Sequence, residues 1–518
     1  MGLQDLQRED RAAISRCQSL RTELCPLQDT KFLLAVFQKE QIVREVKVVS
    51  EKSETRRRSH SESEFAGQSS DTNRVEKFSY SQNFPNLYQP VLSNGLNCTK
   101  VWMGDSTELT RAASLMNMSL NPPRRPEGFY DFITRDCVQY RKEMGYIEQV
   151  SEEEKAFPLA FSILLYKDVE QVERLLRAVY RPHNLYCLHS DLKTSAHLQR
   201  QIRALVTCLP NVFQAPRQVD VRWGTFTVLE PELICMEALL RKSKKWRYFI
   251  NLTGQEFPLK TNKELVAILK AYRGANDIFG KYAPSNAHRW DKAGPPPHNM
   301  TVAKGPVHMA ASREFVDFCL HSTYARDFLE WIKKTDVPDE SYFTTLNNQH
   351  QLGVPGAYTG ELDSPRRQSV NRYKLWWSSE QNCDGQWVRD ICNFGVGDIH
   401  RMVGSVFMFA NKFSYDFQPQ GFDCLEQWYF SRIQREEATG ELDLDVQFYR
   451  DLDIVKHALR KNAHSLAFCS WRIERHNCRH PCMRPVLSIL PDGGLTRTRR
   501  CTEQKHDGND TLINGAVT

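Results

Sequence analysis

Between Pro158 and Pro258 the apolar positions switch repeatedly between continuous runs and helical spacing. Leu159–Leu165 is a mostly apolar run, the pattern of a strand buried on both faces. Residues 168–180 follow, with Val169, Val172, Leu175, Leu176 and Val179 on one helical face and Asp168 as a cap. The spacing then predicts a strand over 185–188, a helix over 196–205, a short strand over 212–215, a helix over 231–241 and a strand over 248–252. Strands alternating with helices of this length imply right-handed βαβ units, hence an α/β fold with a mainly parallel sheet. Such sheets bind ligands beyond the carboxyl ends of their strands. His189, Ser190 and Asp191 stand at one such end, where a carboxylate can accept hydrogen bonds from a nucleotide's ribose or base.

Three regions follow from the patterning. Residues 1–90 read as an extension and linker, largely disordered; 49–74 is rich in Ser, Glu and Arg and poor in aliphatics. Residues 91–459 read as the globular domain. Residues 460–518 read as a basic, disordered tail, with ten Lys/Arg against five Asp/Glu, net +5. The tail holds Cys469, His476, Cys478, His480 and Cys482, only one of the two ligand pairs a zinc site wants.

Across 518 residues, 41% are hydrophobic and 11% aromatic, enough for a sizeable core, so wholesale disorder is excluded. The formal charge is +6, nearly all of it in the tail, and gives no reason to expect nucleic acid as a partner. No apolar run reaches the roughly 18 residues of a membrane span. The polar start resembles no secretory signal, so the chain reads as soluble. Fifteen cysteines are too few for a disulfide scaffold, and composition leaves scattered buried thiols and lumenal disulfides both open. Asn97-Cys98-Thr99 is a glycosylation acceptor sequence, which matters only in a secretory lumen.

The first strand runs into Leu164-Leu165-Tyr166-Lys167-Asp168 without a glycine. That excludes a G-x-G-x-x-G fingerprint and a P-loop here, so a bound nucleotide's phosphates need another counter-charge. Metal held by Asp443-Leu-Asp445 or Asp451-Leu-Asp453 is one option, although acids on a helix are usually a solvated face. Fixed cations are the other, and they need no metal.

At this point the chain resembles a known family. The run Leu175-Leu-Arg-Ala-Val-Tyr-Arg-Pro-His-Asn-Leu-Tyr-Cys-Leu-His-Ser-Asp191 is similar to the β-1,6-N-acetylglucosaminyltransferases of the core 2 and I-branching type. So are Asn251-Leu-Thr-Gly-Gln-Glu-Phe-Pro-Leu-Lys-Thr-Asn262, Pro338-Asp-Glu340, Val388-Arg-Asp-Ile-Cys-Asn-Phe-Gly-Val-Gly-Asp398 and Phe409-Ala-Asn-Lys-Phe413. These motifs arrive in the family's order over roughly 98–430. The resemblance implies a GT-A-like glycosyltransferase, inverting and without metal or other cofactor, that transfers N-acetylglucosamine from UDP-GlcNAc to the 6-hydroxyl of a galactose-type acceptor on a glycoprotein O-glycan. It also implies a Golgi type II membrane protein, although no anchor is visible in this chain.

Carried over by motif, Glu340 is the catalytic base, where the bland reading is an acid starting a helix. Arg389 and Lys412 match the pair that binds the diphosphate. Asp191 matches the nucleoside contact with Lys193 nearby, Leu164, Leu165 and Tyr166 line the uracil, and Trp223 stands where the family has a tyrosine. Arg289 and Trp376 match acceptor contacts. The family's basic acceptor position falls on Asn286, its acidic one on Ile278 or Phe279 and its tyrosine on Ser378, so core 1 O-glycans are expected to be poor acceptors. The resemblance pairs Cys98 with Cys424, Cys137 with Cys208, Cys187 with Cys235 and Cys383 with Cys392, and makes Asn97 a glycosylation site. Thr253 replaces the family's cysteine, and residues 304–311 depart from its pattern. The alternative is a degenerate relative that binds glycans or partners without catalysis.

Overall fold

The computed structural model describes residues 95–117, 125, 128–282, 284–379 and 381–459, and the backbone of 484–489 and 495–500. Contacts divide the chain into residues 1–79 and 80–518, and everything described lies in the second unit. The zinc-like cluster of the tail lies outside the described residues. Within the tail read as disordered, the backbone of Arg484–Ile489 pairs antiparallel with Leu495–Arg500.

In chain order the strands around the site are β1 (Leu159–Leu165), β2 (Leu185–Ser190), β3 (Val212–Gln214), β4 (Tyr248–Thr253), β5 (Glu256–Pro258), β6 (Ala310–Ser312), β7 (Arg372–Tyr373), β8 (Gln386–Val388), β9 (Ile391–Asn393) and β10 (Phe409–Asn411). The main sheet has the order β3-β2-β1-β4-β6. Its first four strands are mutually parallel, with Ala160 opposite both Leu185 and Phe249, whereas β6 joins β4 antiparallel. That edge strand is too short, at three residues, for the apolar pattern to reveal.

The apolar run of β1 is central because both its faces are covered. Leu159, Phe161, Ile163 and Leu165 pack with Val172, Leu175 and Leu176 of the helix Val169–Val179. Ala160 turns to the other face, into the cluster with Leu233, Met236 and Leu239 of the helix Glu230–Lys242. This is the two-residue alternation of a strand buried between two helical layers. Asp168 caps the first helix through Gln171 N at 3.2 Å.

A smaller sheet, β5-β10-β7, adjoins the carboxyl end of β4, with β10 antiparallel to β5 and parallel to β7. The 21-residue helix Pro419–Thr439 locks against the first helix through buried charges. Arg174 reaches Asp423 at 2.7 Å and Glu426 at 2.6 Å, and Arg177 reaches Glu426 at 2.8 Å. Losing one partner of such a buried set costs roughly 3–5 kcal/mol. The pairings formed are Cys98–Cys424, Cys137–Cys208, Cys187–Cys235 and Cys383–Cys392, those the resemblance implied. Cys98–Cys424 spans 326 positions, for which loop-entropy arguments give roughly 5 kcal/mol. Cys319 is a free, buried thiol whose ionisation burial pushes up.

Candidate active site

The carboxyl ends of β1, β2 and β4 bring three loops together. Leu164 O accepts from Gly254 N at 2.9 Å, and Leu165 O accepts from Asp191 N at 3.0 Å. The expected nucleoside contacts Leu164, Leu165 and Asp191 are therefore neighbours, with Tyr166 exposed at the rim. Lys193 bridges Asp191 at 3.0 Å and Asp220 at 2.6 Å, and donates to Val221 O at 2.6 Å. Its ammonium thus holds the 191 and 220 loops together. Tyr166 and Lys193 line a cleft of about 610 Å³ with Arg125, Lys167 and His197. Trp223 is 81% exposed. Its neighbour Gly224 accepts from Val337 N at 2.8 Å, so this loop connects the Asp191 side to the turn that carries Glu340.

Arg389 sits at the tip of the β8–β9 hairpin. The two-residue turn Arg389–Asp390 has φ of 49° and 63°, the left-handed pair of a type I′ turn that Asn-Gly normally fills. Holding two L-residues there costs roughly 1–2 kcal/mol each. Cys383–Cys392 and the bond from Trp377 N to Asp390 O at 2.9 Å secure the hairpin. Lys412 follows β10, and its carbonyl accepts from Phe394 N at 3.0 Å just beyond β9. Burial, then the charges of Arg389 and Lys167, hold the Lys412 ammonium below its ordinary pKa. Neither Arg389 nor Lys412 has an ion-pair partner within 4 Å among the described residues. Two mutually repelling cations without a carboxylate are a ready site for a polyanion.

Glu340 ends the one-turn 3-10 segment Pro338–Glu340, which leads into the helix Tyr342–Asn347, so it does stand at a helix start. Its carboxylate is clamped by cations: Arg289 Nη1 donates to Oε2 at 2.6 Å, and Lys304 Nζ stands 3.7 Å from the same oxygen. Arg289, expected on the acceptor side, is thus in direct contact with the proposed base. Gly305 N donates to Glu340 O at 2.8 Å, and a Cβ at Gly305 would strike the Phe279 carbonyl. Asp339 beside it is half-buried, and desolvation followed by the Glu340 charge raises its pKa to about 6.

Lys374 links the two halves of the site, because the charges of both Lys412 and Glu340 act on it. Its Nζ lies 3.4 Å from His308 Nε2 and 4.5 Å from the Trp376 ring centroid. His308 Nδ1 in turn faces Glu256 Oε1 at 3.6 Å. Sequence reasoning gave Lys374, His308 and Lys304 no role; the available signals were the adjacency of Lys374 to Trp376 and the departure of 304–311 from the family pattern. Of the alternatives for the acidic acceptor position, Ile278 is in the core and Phe279 lines a cleft with Trp376. Thr253, in place of the family's cysteine, donates to Glu256 Oε1 at 3.2 Å.

The two Asp-Leu-Asp pairs are committed elsewhere. Asp443 pairs with Arg432 at 2.9 Å, Asp445 caps the helix Val446–Asp451, Asp451 pairs with Lys456 at 3.1 Å and Asp453 with His457 at 2.9 Å. Cys383, Cys392 and Asp398 lie within metal-ligating distance of one another, but both sulfurs are consumed in a disulfide.

A nucleotide-type sheet end, a pair of uncompensated cations and a clamped carboxylate are the parts of a group-transfer site, and comparison with known proteins makes that class a glycosyltransferase. The family model "Core-2/I-Branching enzyme" matches residues 159–403. Rat β-1,3-galactosyl-O-glycosyl-glycoprotein β-1,6-N-acetylglucosaminyltransferase 3 is 33% identical over 372 residues, 67% of this chain and 85% of that protein. Human N-acetyllactosaminide β-1,6-N-acetylglucosaminyl-transferase is 34% identical over 334 residues, 59% of this chain and 80% of that protein. A solved apo structure of mouse xyloside xylosyltransferase 1 aligns at a TM-score of 0.27 and 13% identity, over 49% of this chain and 97% of that one, too weak a likeness to bear on the fold. The chain belongs to the Core-2/I-branching enzyme family.

Proposed function

We propose that this glycosyltransferase moves N-acetylglucosamine from UDP-GlcNAc to the 6-hydroxyl of a galactose or N-acetylgalactosamine unit on an O-glycan, with inversion and without a metal. Glu340 takes the proton of the attacking hydroxyl as its oxygen bonds to the anomeric carbon. The bond from that carbon to the β-phosphate oxygen breaks in line, and UDP leaves with the electron pair. Arg389 and Lys412 offset the charge that grows on the diphosphate, the role a metal has in other designs. Leu164, Leu165, Tyr166 and Asp191 hold the nucleoside, and Lys193 holds the Asp191 loop.

The observation that carries this reading is the presence of two cations with no carboxylate partner among the described residues, together with a carboxylate already clamped by Arg289. Glu340→Gln keeps the shape and removes the base. Turnover should fall about 10²–10⁴-fold while UDP affinity barely changes; unchanged turnover overturns the assignment. A second reading, glycan or partner binding without transfer, is favoured by the apolar Phe279 at one of the two alignments of the acidic acceptor contact. Lumenal folding in the Golgi belongs to the same proposal, supported by four disulfides and by an exposed Asn97 at its acceptor sequence. No helix among the described residues is long and apolar enough to cross a membrane. Membrane anchoring and the boundaries of the catalytic unit, 91–459, stand as proposals from the family.

A further inference from the structure

Beside Glu340 lies a cleft of about 360 Å³, at the lower end of ligand-pocket sizes. Pro306 forms part of its wall, one residue after the Gly305 amide that donates to Glu340 O. Phe279, His308, Arg367, Arg372, Lys374 and Trp376 are among its other lining residues, and no Asp or Glu lines it among the described residues. The three cations are not equivalent. Arg372 is neutralised by Glu256 at 2.8 Å beneath the cleft. Arg367 spends its guanidinium on the carbonyls of Gly280 and Ile278, both at 3.0 Å, and on Asn348 Oδ1 at 2.9 Å. Lys374 has no ion-pair partner within 4 Å among the described residues.

Resting on the transferase reading above, we propose that the acceptor carries a fixed negative charge, a carboxylate or a sulfate ester on its sugar, and that Lys374 binds it. The side chain is aimed rather than free. His308 is buried, and burial followed by the charges of Lys374 and Arg372 pushes its protonation well down, so it stays neutral. With Nδ1 facing Glu256, its Nε2 lone pair receives the Lys374 ammonium at 3.4 Å. Burial also lowers the Lys374 pKa to about 8, the mark of a cation that lacks enough counter-charge. An anionic sugar stacked on Trp376 would supply that charge as a charge-assisted hydrogen bond. A neutral disaccharide would leave the ammonium desolvated with only the charges of Glu256 and Glu340, neither within 4 Å, to offset it, at a cost.

The test uses the full chain with UDP-GlcNAc and three matched acceptors: the core 1 disaccharide, its sialylated form and its sulfated form. Transfer is measured for each, and acceptor affinity is measured separately on the UDP-loaded protein. We expect one or both anionic acceptors to exceed the neutral one roughly 10- to 100-fold in kcat/KM and in affinity. Lys374→Met should erase the preference and Lys374→Arg should keep it. Which anionic form leads distinguishes carboxylate from sulfate. Equal or stronger binding of the neutral disaccharide, or a preference that survives in Lys374→Met, overturns the inference. Anion-selective binding that depends on Lys374 but without transfer to any acceptor overturns the transferase reading and leaves the inference standing.

Discussion

Arg289 Nη1 donates to the Glu340 carboxylate at 2.6 Å, across 51 positions of sequence. The contact is sheltered, with side-chain exposures of 16% and 24%, so solvent screens it less than a surface pair. It orients the carboxylate proposed as base, and Asp336 N donating to Arg289 O at 2.8 Å holds the Arg289 loop against the turn that carries Glu340. A hydrogen bond to a charged group is worth roughly 1.5–3 kcal/mol. Arg289→Ala is therefore expected to lower kcat/KM about 10- to 100-fold with UDP affinity unchanged, and Arg289→Lys to recover part of the loss. Steady-state kinetics alongside UDP titration checks this. Loss of UDP binding would mean that Arg289 instead supports the donor pocket.

Arg389 and Lys412 should act on the donor alone. Changing either to Ala removes a charge-assisted contact, so UDP should bind roughly 10- to 100-fold more weakly. If these cations supply the counter-charge as proposed, donor binding and turnover should survive EDTA. Calorimetric UDP titration with and without chelator reads both effects, and strict dependence on manganese would refute the metal-free reading.

How much of this was legible depends on the range of the interactions. The βαβ run of 159–252 was read to within a few residues, because burial on both faces of a parallel strand leaves continuous apolar runs. β6 and β7 were not, since strands of three and two residues carry no period. The proposed base and the proposed diphosphate-binding cations came only through family motifs: an isolated Pro-Asp-Glu looks like any helix start, and it also is one here. Lys304 near Glu340, and Lys374 on His308, depend on loops meeting from distant segments, which residue spacing does not encode. The left-handed φ at Arg389 is equally silent in sequence, since Arg-Asp is not a residue pair that announces a type I′ turn.

Stability should carry a pH signature from Glu232, which is buried against Ser162 of β1. Burial is the main cause that raises its pKa to about 7, opposed by hydrogen bonds from Ser162 and Asn251 and by the Arg372 charge, and reinforced by Glu256. The folded state binds this proton more tightly than the unfolded chain, whose value is 4.5. Stability contributed by Glu232 is therefore complete below about pH 4.5 and is lost as pH rises toward 7, by roughly 3 kcal/mol. Glu232→Gln mimics the protonated form. Its melting temperature should match the wild type near pH 4 and exceed it by several degrees at pH 8. Comparing the two proteins at each pH cancels other titrating carboxyls, and a difference that does not vary with pH rules the assignment out.

The β8–β9 hairpin lets charge and backbone geometry be tested apart. Two left-handed residues, Arg389 and Asp390, turn the chain at the tip, the disulfide Cys383–Cys392 anchors the base of that turn, and Arg389 is proposed to reach the donor from there. Asp390→Gly removes the left-handed penalty at the second position, where glycine is the preferred residue. It should leave UDP affinity within about twofold and thermal stability unchanged or slightly higher. Arg389→Gly relieves the same penalty at the first position but removes the cation, so it should weaken UDP as much as Arg389→Ala. Replacing Cys383 and Cys392 together by Ser keeps both charges and frees the hairpin, so affinity should fall by an intermediate amount with little change in the rest of the fold. UDP titration of the three variants, with peptide mapping under non-reducing conditions to confirm the disulfide in the parent, decides the matter. If Asp390→Gly weakens UDP as strongly as Arg389→Gly, the carboxylate rather than the turn is what Asp390 contributes. If the double Ser variant binds UDP like the parent, the disulfide does not position Arg389.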